Sequence, residues 1–405
     1  MKKVCCLAAF LLLGLVTAAL AANENTKLPP GVKMPPQPKE WVAPSVDMTP
    51  PSAPARFSAE WKKDKSLPTP LAGHSAVAIG QYIYVIGGVS GKEHLGMREV
   101  WSARGGQGNI SSWRKVSALP VPLGFAATVV VGKRIYVAGG ASREGMHRLY
   151  DSVFSAEAKP DGGLGSWREE RKMPAALMYH AAATVDGYIY VLGGFNGQQY
   201  SVKTLITKVA PDGTLGEWKE SKADYINPIG RTLLVAVGND LVVVGGLFWD
   251  SQGEHITSLV MRGVRAADGD VTSWATEDGI KIASRSMNFS LAELAGTTDA
   301  NFVYAAAGRD PAALGVATVQ AAWINPQGIL TRWQFGPELP DWDVKGSRQP
   351  AKLYQSTCVI AGNRLYVLGG FLSVREPTKN VWSIALKPYA EPDWVKAQRE
   401  KAGKK

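Results

Sequence analysis

Three arginines, Arg231, Arg285 and Arg309, stand at or within a residue or two of the ends of apolar runs. There a planar guanidinium can hold a carboxylate through paired hydrogen bonds. The same stretches carry the pair Tyr179-His180, the turn Phe248-Trp249-Asp250 and, further on, Trp342. Cations fit an anionic group, and aromatic rings in turns fit a sugar ring, a partner or a neighbouring loop. We take Arg231, Arg285, Arg309, Trp249, Asp250, His180, Tyr179 and Trp342 as the candidate ligand-binding set. The competing reading makes the arginines braces, neutralised by Asp250 and Asp310, which lie near them in sequence. For His180 and its counterpart His74 the competing reading is a hydrogen bond to neighbouring loop backbone.

No residues are assigned to catalysis, and no metal or cofactor is expected. Cys358 sits inside the apolar run Ser356-Thr357-Cys358-Val359-Ile360, the setting of a buried, inert thiol. Asp161-Gly162 and Asp212-Gly213 fit turns better than calcium loops. Gly88-Val89-Ser90-Gly91-Lys92 lacks the spacing and the following Ser or Thr of a phosphate loop.

The elements that must position these residues repeat along the chain. A strand-like run ending in a small pair recurs as Tyr82–Gly88, Ile135–Gly140, Ile189–Gly194, Leu241–Gly246 and Leu365–Gly370, with a degenerate copy at Phe302–Gly308. Gly139 follows Gly87 by 52 residues, Gly193 follows Gly139 by 54, and the last two intervals lengthen to 62. Trp61, Trp113, Trp167, Trp218, Trp274 and Trp333 keep the same beat. Two unrelated markers in step indicate a structural repeat. Gly80-Gln81, Gly132-Lys133, Asp186-Gly187, Gly238-Asn239 and Gly362-Asn363 tolerate the positive φ of tight hairpins, so each unit reads as four antiparallel strands, one propeller blade.

On these residues the chain resembles the kelch-repeat family: an apolar hairpin ending in Gly-Gly, a further strand, then a Trp, over residues 57–386. The expected fold class is all-β, a six-bladed kelch-type β-propeller. Kelch propellers include enzymes, sugar binders and protein-interaction platforms, so the resemblance implies a fold more than a function. Within the family, copper-radical oxidases similar to galactose oxidase need a cysteine-linked tyrosine and paired histidines, which the sequence does not supply. The chain also resembles the exported bacterial sialic-acid mutarotases in size and blade number. That resemblance implies an acid, a base and a carboxylate-holding arginine around a sugar ring.

Ligands of such propellers sit at the channel mouth, among loops entering the first strand (His74, Tyr179, Arg231, Arg285, Asn288, Lys352, Tyr354) and leaving the second (Arg143, His147, Asn196, Trp249, Arg309, Arg375). Phe57–Lys63 matches the Trp-bearing outer strand and is expected to close the ring beside Val381–Ile384; Pro392–Val395 is the rival. The extra residues of the last two blades are assigned to Leu294–Ala300, inside a hairpin, and to Pro340–Gly346, on the ligand face.

Residues 1–21 combine Lys2 and Lys3 with an apolar run to Leu20 and a small-x-small site, as in a secretory signal peptide. Residues 22–56 form a Pro-rich leader and 387–405 a basic tail. The expected location is therefore the periplasm or the cell exterior, with no stable membrane insertion after cleavage. A formal charge of +10 favours anionic partners, while the scattered cations, the absence of a nucleic-acid motif and export argue against nucleic acid. The functional expectation is a carbohydrate- or protein-binding scaffold, its partner an anionic sugar or an extracytoplasmic protein; the alternative is a mutarotase of an acidic sugar such as N-acetylneuraminate.

Overall fold

The structure is a computed structural model; it describes residues 56–389 except 107–108, 111, 145–147, 276–286, 288–289, 313–314, 326–329, 341–352 and 373–374. The signal and leader segments, most of the basic tail, Arg285, Trp342 and the Pro340–Gly346 insert beyond Pro340 lie outside the described residues. Among these residues there are strands and no helix.

Six antiparallel sheets make the blades. In blade one, Ser75–Ile79 pairs with Tyr82–Ile86 across a two-residue turn, then come Val100–Arg104 and a short outer strand, Arg114–Lys115. Gly80, Gly132, Gly238 and Gly362 have φ near 60°, as does Asp186 at 50°, which lets the turns follow the twist of the flanking strands. The first strands of neighbouring blades pack side by side around the axis. Blade six is completed from the other end of the chain, because Phe57–Lys63 lies antiparallel to Val381–Leu386, with Trp61 opposite Ile384 and Lys63 opposite Trp382. This is the closure that the Trp spacing predicts.

Second-strand side chains are buried on both faces, since each blade is sandwiched between two others. The apolar clusters accordingly span pairs of blades: Tyr84 and Ile86 with Ile135 and Val137, then Tyr136 and Ala138 with Ile189 and Val191. The outer tryptophans stitch these pairs together. The indole N–H groups of Trp61, Trp113, Trp167 and Trp218 donate to the carbonyls of Pro337, Lys65, Ser117 and Arg171, at 2.9–3.0 Å. Near the far end of the channel, Tyr136 and Tyr190 donate to the Gly213 and Gly269 carbonyls of the following blade, at 2.8 and 2.7 Å. Each hydroxyl thereby satisfies a buried polar group while crossing an interface.

One length assignment is corrected. The interval from the residue two before the first strand to the first position of the small pair is the same in every blade: Gly73 to Gly87, Arg231 to Gly245, Glu293 to Ala307. Leu294–Ala300 therefore holds no insertion, and Ala295–Thr298 is an ordinary first strand. The extra residues precede Glu293. Part of them lengthens the blade-four hairpin, Asp240–Asp250 with Gly253–Arg265, which runs past its glycine pair to lift Trp249 above the loop face.

Candidate functional site

At the channel mouth six residues take equivalent places, each two before a first strand: Gly73, Phe125, Tyr179, Arg231, Glu293 and Gln355. All six have φ between 52° and 60°, a left-handed conformation that costs an L-residue with a side chain about 1–2 kcal/mol. What holds them there is a closed cycle of backbone hydrogen bonds. Each N–H donates to the carbonyl of the equivalent residue one blade earlier, from Phe125 to Gly73 (2.7 Å), Tyr179 to Phe125 (3.2 Å), Arg231 to Tyr179 (2.8 Å), Glu293 to Arg231 (2.8 Å) and Gln355 to Glu293 (3.0 Å), and Gly73 returns to Gln355 (3.0 Å). Strain of this kind persists where surrounding structure fixes it and gathers at functional sites.

The side chains around this hoop divide the mouth in two. On one side Phe125, Tyr179, Phe195, Tyr354 and Phe371 form an apolar cap with Val89 and Met178, the rings of Phe125 and Tyr179 lying 4.8 Å apart. On the other side the charges collect. Glu293, only 2% exposed, accepts from Arg231 in an ion pair, lies 3.5 Å from Nε of Arg309, and receives Nε2 of Gln355 at 3.0 Å. Arg231 also stacks 3.8 Å over the Tyr179 ring and donates to the Tyr200 hydroxyl at 3.2 Å. Arg309 reaches Glu254 of the long hairpin at 2.8 Å.

Burial opposes the Arg231 charge, but the Tyr179 and Tyr200 phenols and Glu254 more than compensate, so its proton is held more tightly than usual. Burial likewise pushes the Tyr179 phenol up to about 12, against the pull of Arg231. Two arginines thus face two carboxylates. A third clasp joins blades six, one and two at the rim: Arg375 to Glu144 at 2.6 Å, with His94 on the other oxygen of Glu144 and its Nε2 3.1 Å from the Arg375 carbonyl.

Of the candidates among the described residues, Tyr179, Arg231 and Arg309 come together, His180 lines the same cavity, and Trp249 and Asp250 belong to the long hairpin. The neutralising acids are Glu293 and Glu254. Asp250 turns back within its own hairpin, accepting from Gln252 N–H (2.7 Å) and facing His255 Nε2 (2.9 Å), which keep its carboxyl below the usual range. Trp249 stands 49% exposed at the tip. His180 lies one residue inside the hoop, bonded to the Ala138 carbonyl at 3.0 Å, and His74 to the Thr357 hydroxyl at 2.9 Å. Both rings pack on the glycine pair of the preceding blade, where a Cβ at Gly139 or Gly369 would fall 2.7 or 2.6 Å from an imidazole carbon. Burial pushes His180 down to about 4 and His74 to about 3.

Phe125, Glu293 and Gln355 were not identifiable from residue type, but their register was: Phe125 sits one beat before Tyr179, Glu293 one beat after Arg231, and Gln355 one beat after Glu293. The cavity that the hoop residues line holds about 150 Å³, and the channel space among the first strands about 200 Å³.

Residues 70–102 and 176–204, in blades one and three, match the Kelch motif. The chain is similar to spermatocyte protein spe-26 of Caenorhabditis elegans, 27% identical over 46% of this chain and 31% of that protein. It is also similar to kelch-like protein 41a of Danio rerio (26% identical; 42% and 26%) and to human kelch repeat and BTB domain-containing protein 12 (30% identical; 35% and 25%). It spans less than a third of the length of each. With six antiparallel blades about one axis, and the Kelch motif in two of them, the chain folds as a six-bladed kelch-type β-propeller.

Proposed function

We propose that this propeller is an extracytoplasmic protein-binding module whose hoop-side loop face docks its partner. One observation carries the proposal: of the four large apolar side chains left exposed among the described residues, Leu95, Ile226 and Trp249 all rise from the loops of this face. Leu95 belongs to blade one and Trp249 to blade four, on opposite sides of the axis, and Ile226 lies close to Trp249 because the Trp249 N–H meets the Pro228 carbonyl at 3.4 Å. Exposed apolar and aromatic anchors around a polar centre are the usual anatomy of a protein interface. A pocket enclosing a small ligand commonly needs about 300–1,000 Å³, more than the 150 Å³ within the hoop.

The extracytoplasmic part of the proposal rests on the basic start and the apolar run to Leu20. The acidic-sugar reading rests on Arg231 and Arg309, and both already face Glu293. Site-specific photocrosslinking in the native host tests the proposal. A crosslinker at Leu95 or Trp249 should trap a discrete protein adduct that one at Asp212, on the opposite face, does not, and Ile226→Asp should diminish it. Equal labelling from both faces, or anomer exchange of an acidic sugar detected by NMR with no adduct, would overturn it.

A further inference from the structure

The face opposite the hoop carries a groove that the docking surface does not use. It lies between blades one and two, with a volume of about 450 Å³, and is lined by Gly80, Gln81, Tyr82 and Tyr84 of one blade and Lys133 and Ala158–Pro160 of the next, with Arg104 at its side. Its size falls within the range of small-molecule sites. The sequence makes room for it at Gly162, whose φ of 79° lays the Lys159–Gly163 turn flat on the Tyr82 ring; a Cβ there would lie 2.2 Å from that ring.

Three cations meet at this groove. Arg104, Lys133 and Lys159 are exposed, and among the described residues no carboxylate is paired with any of them: Arg104 is fixed through Nε to the Gln81 side-chain oxygen at 2.8 Å. The nearest acid of the turn, Asp161, is taken by Arg114 at 3.3 Å and by its own Gly163 N–H at 2.9 Å. The neighbouring groove, between blades two and three, provides the contrast. There Arg134 is paired with Glu157 at 3.2 Å, Asp212 lines the wall, and Ala210 stands where the first groove has Lys159.

The floor differs too. Tyr136 and Tyr190 spend their hydroxyls on the Gly213 and Gly269 carbonyls of the following blade. The equivalent Tyr84 is fully buried, lines the groove, and makes no such bond. Its hydroxyl is therefore available to a ligand in the groove beneath the cations. Burial first, and then Asp161 and Tyr82, push this phenol up to about 12, so it remains a donor.

We propose that this groove binds an anion of monosaccharide size, its carboxylate or phosphoryl group held by Arg104, Lys133 and Lys159 and met from below by the Tyr84 hydroxyl. Calorimetric titration with three probes tests it: glucuronate, glucose 6-phosphate and glucose. Saturable 1:1 binding of either anion, with none of glucose, is expected, and whichever anion binds identifies the preferred group. Lys133→Ala/Lys159→Ala, both at exposed positions, should weaken that binding at least tenfold with an unchanged melting temperature. Tyr84→Phe, which removes only the hydroxyl, should weaken it by about tenfold. Failure of both anions to bind, or undiminished binding in the double-lysine variant, would overturn the proposal, and neither outcome bears on the docking face.

Discussion

Replacing Glu293 by glutamine keeps the volume and an acceptor for Gln355 but removes the carboxylate that sits between two arginines. Glu293 is 2% exposed, Arg231 19% and Arg309 18%, so the charges left behind are poorly hydrated. Deleting one partner of a buried pair costs about 3–5 kcal/mol. Arg309 keeps its ion pair with Glu254, itself 40% exposed, while Arg231 keeps the Tyr179 ring, the Tyr200 hydroxyl and a longer-range attraction to Glu254. That partial compensation places the expected loss near the lower end, about 3 kcal/mol. With an m-value near 3 kcal/mol per molar, that is a drop of roughly 1 M in the urea midpoint, readable by tryptophan fluorescence. Arg231→Met combined with Glu293→Gln removes both charges and should recover at least half of the loss. If Glu293→Gln unfolds like the parent protein and gains affinity for a carboxylated ligand, then the arginines are held ready for that ligand and the bracing role is wrong.

Three further outcomes follow from the same geometry. Gly187→Ala, at a turn with φ of 74° and open space around it, should cost about 1 kcal/mol, whereas Gly193→Ala would drive a Cβ to 2.2 Å from the Ile229 carbonyl and should cost several times more in a thermal melt. His74 and His180 are neutral in the folded state, with values lowered from 6.5 to about 3 and about 4; the unfolded chain binds their protons first, so stability is full above about pH 6.5 and falls as the pH drops towards 4. His180→Gln should flatten that slope in urea midpoints measured between pH 7 and 5, and an unchanged slope would remove His180 from the account. Removing residues up to Lys63 takes away the strand beside Val381–Leu386 and should yield aggregating protein by size-exclusion chromatography, because it bares a sheet edge; a stable monomer would show that closure lies elsewhere.

Much of the architecture was legible because its signals are local and repeated. Glycine-containing hairpin turns, apolar second strands and outer tryptophans each report on their own unit, and Trp61 kept the beat even though its blade lies at the other end of the chain. The hoop was hidden because its left-handed positions, usually marked by glycine or asparagine, are filled by Phe125, Tyr179, Arg231, Glu293 and Gln355; only Gly73 obeys the rule. A cycle of backbone hydrogen bonds enforces that conformation, and no residue type announces it. The arginine partners were missed for a related reason. Asp250 is near in sequence, but in a propeller the neighbour across an interface is one blade away, which is where Glu293 stands relative to Arg231. The extra length of blade five was misplaced because it was counted between glycine pairs; counted from the hoop, it falls before Glu293.

The hoop also fixes how many blades the chain can have. Six N–H groups find six carbonyls with none left over, and Gly73 and Gln355 complete the circuit between the first blade and the last at the axis, while Phe57–Lys63 completes it at the circumference. Duplicating one unit would reopen the inner circuit and ask seven left-handed residues to meet around a wider axis, with the first-strand packing undone on every side. Lengthening a loop disturbs neither circuit. The chain can therefore diversify cheaply only by elaborating the hoop-side hairpins and the segments between blades, and that is where its irregular length lies, in the Trp249 hairpin and in the residues before Glu293 and Gln355. The count of blades is locked at the centre, and novelty is left to the rim.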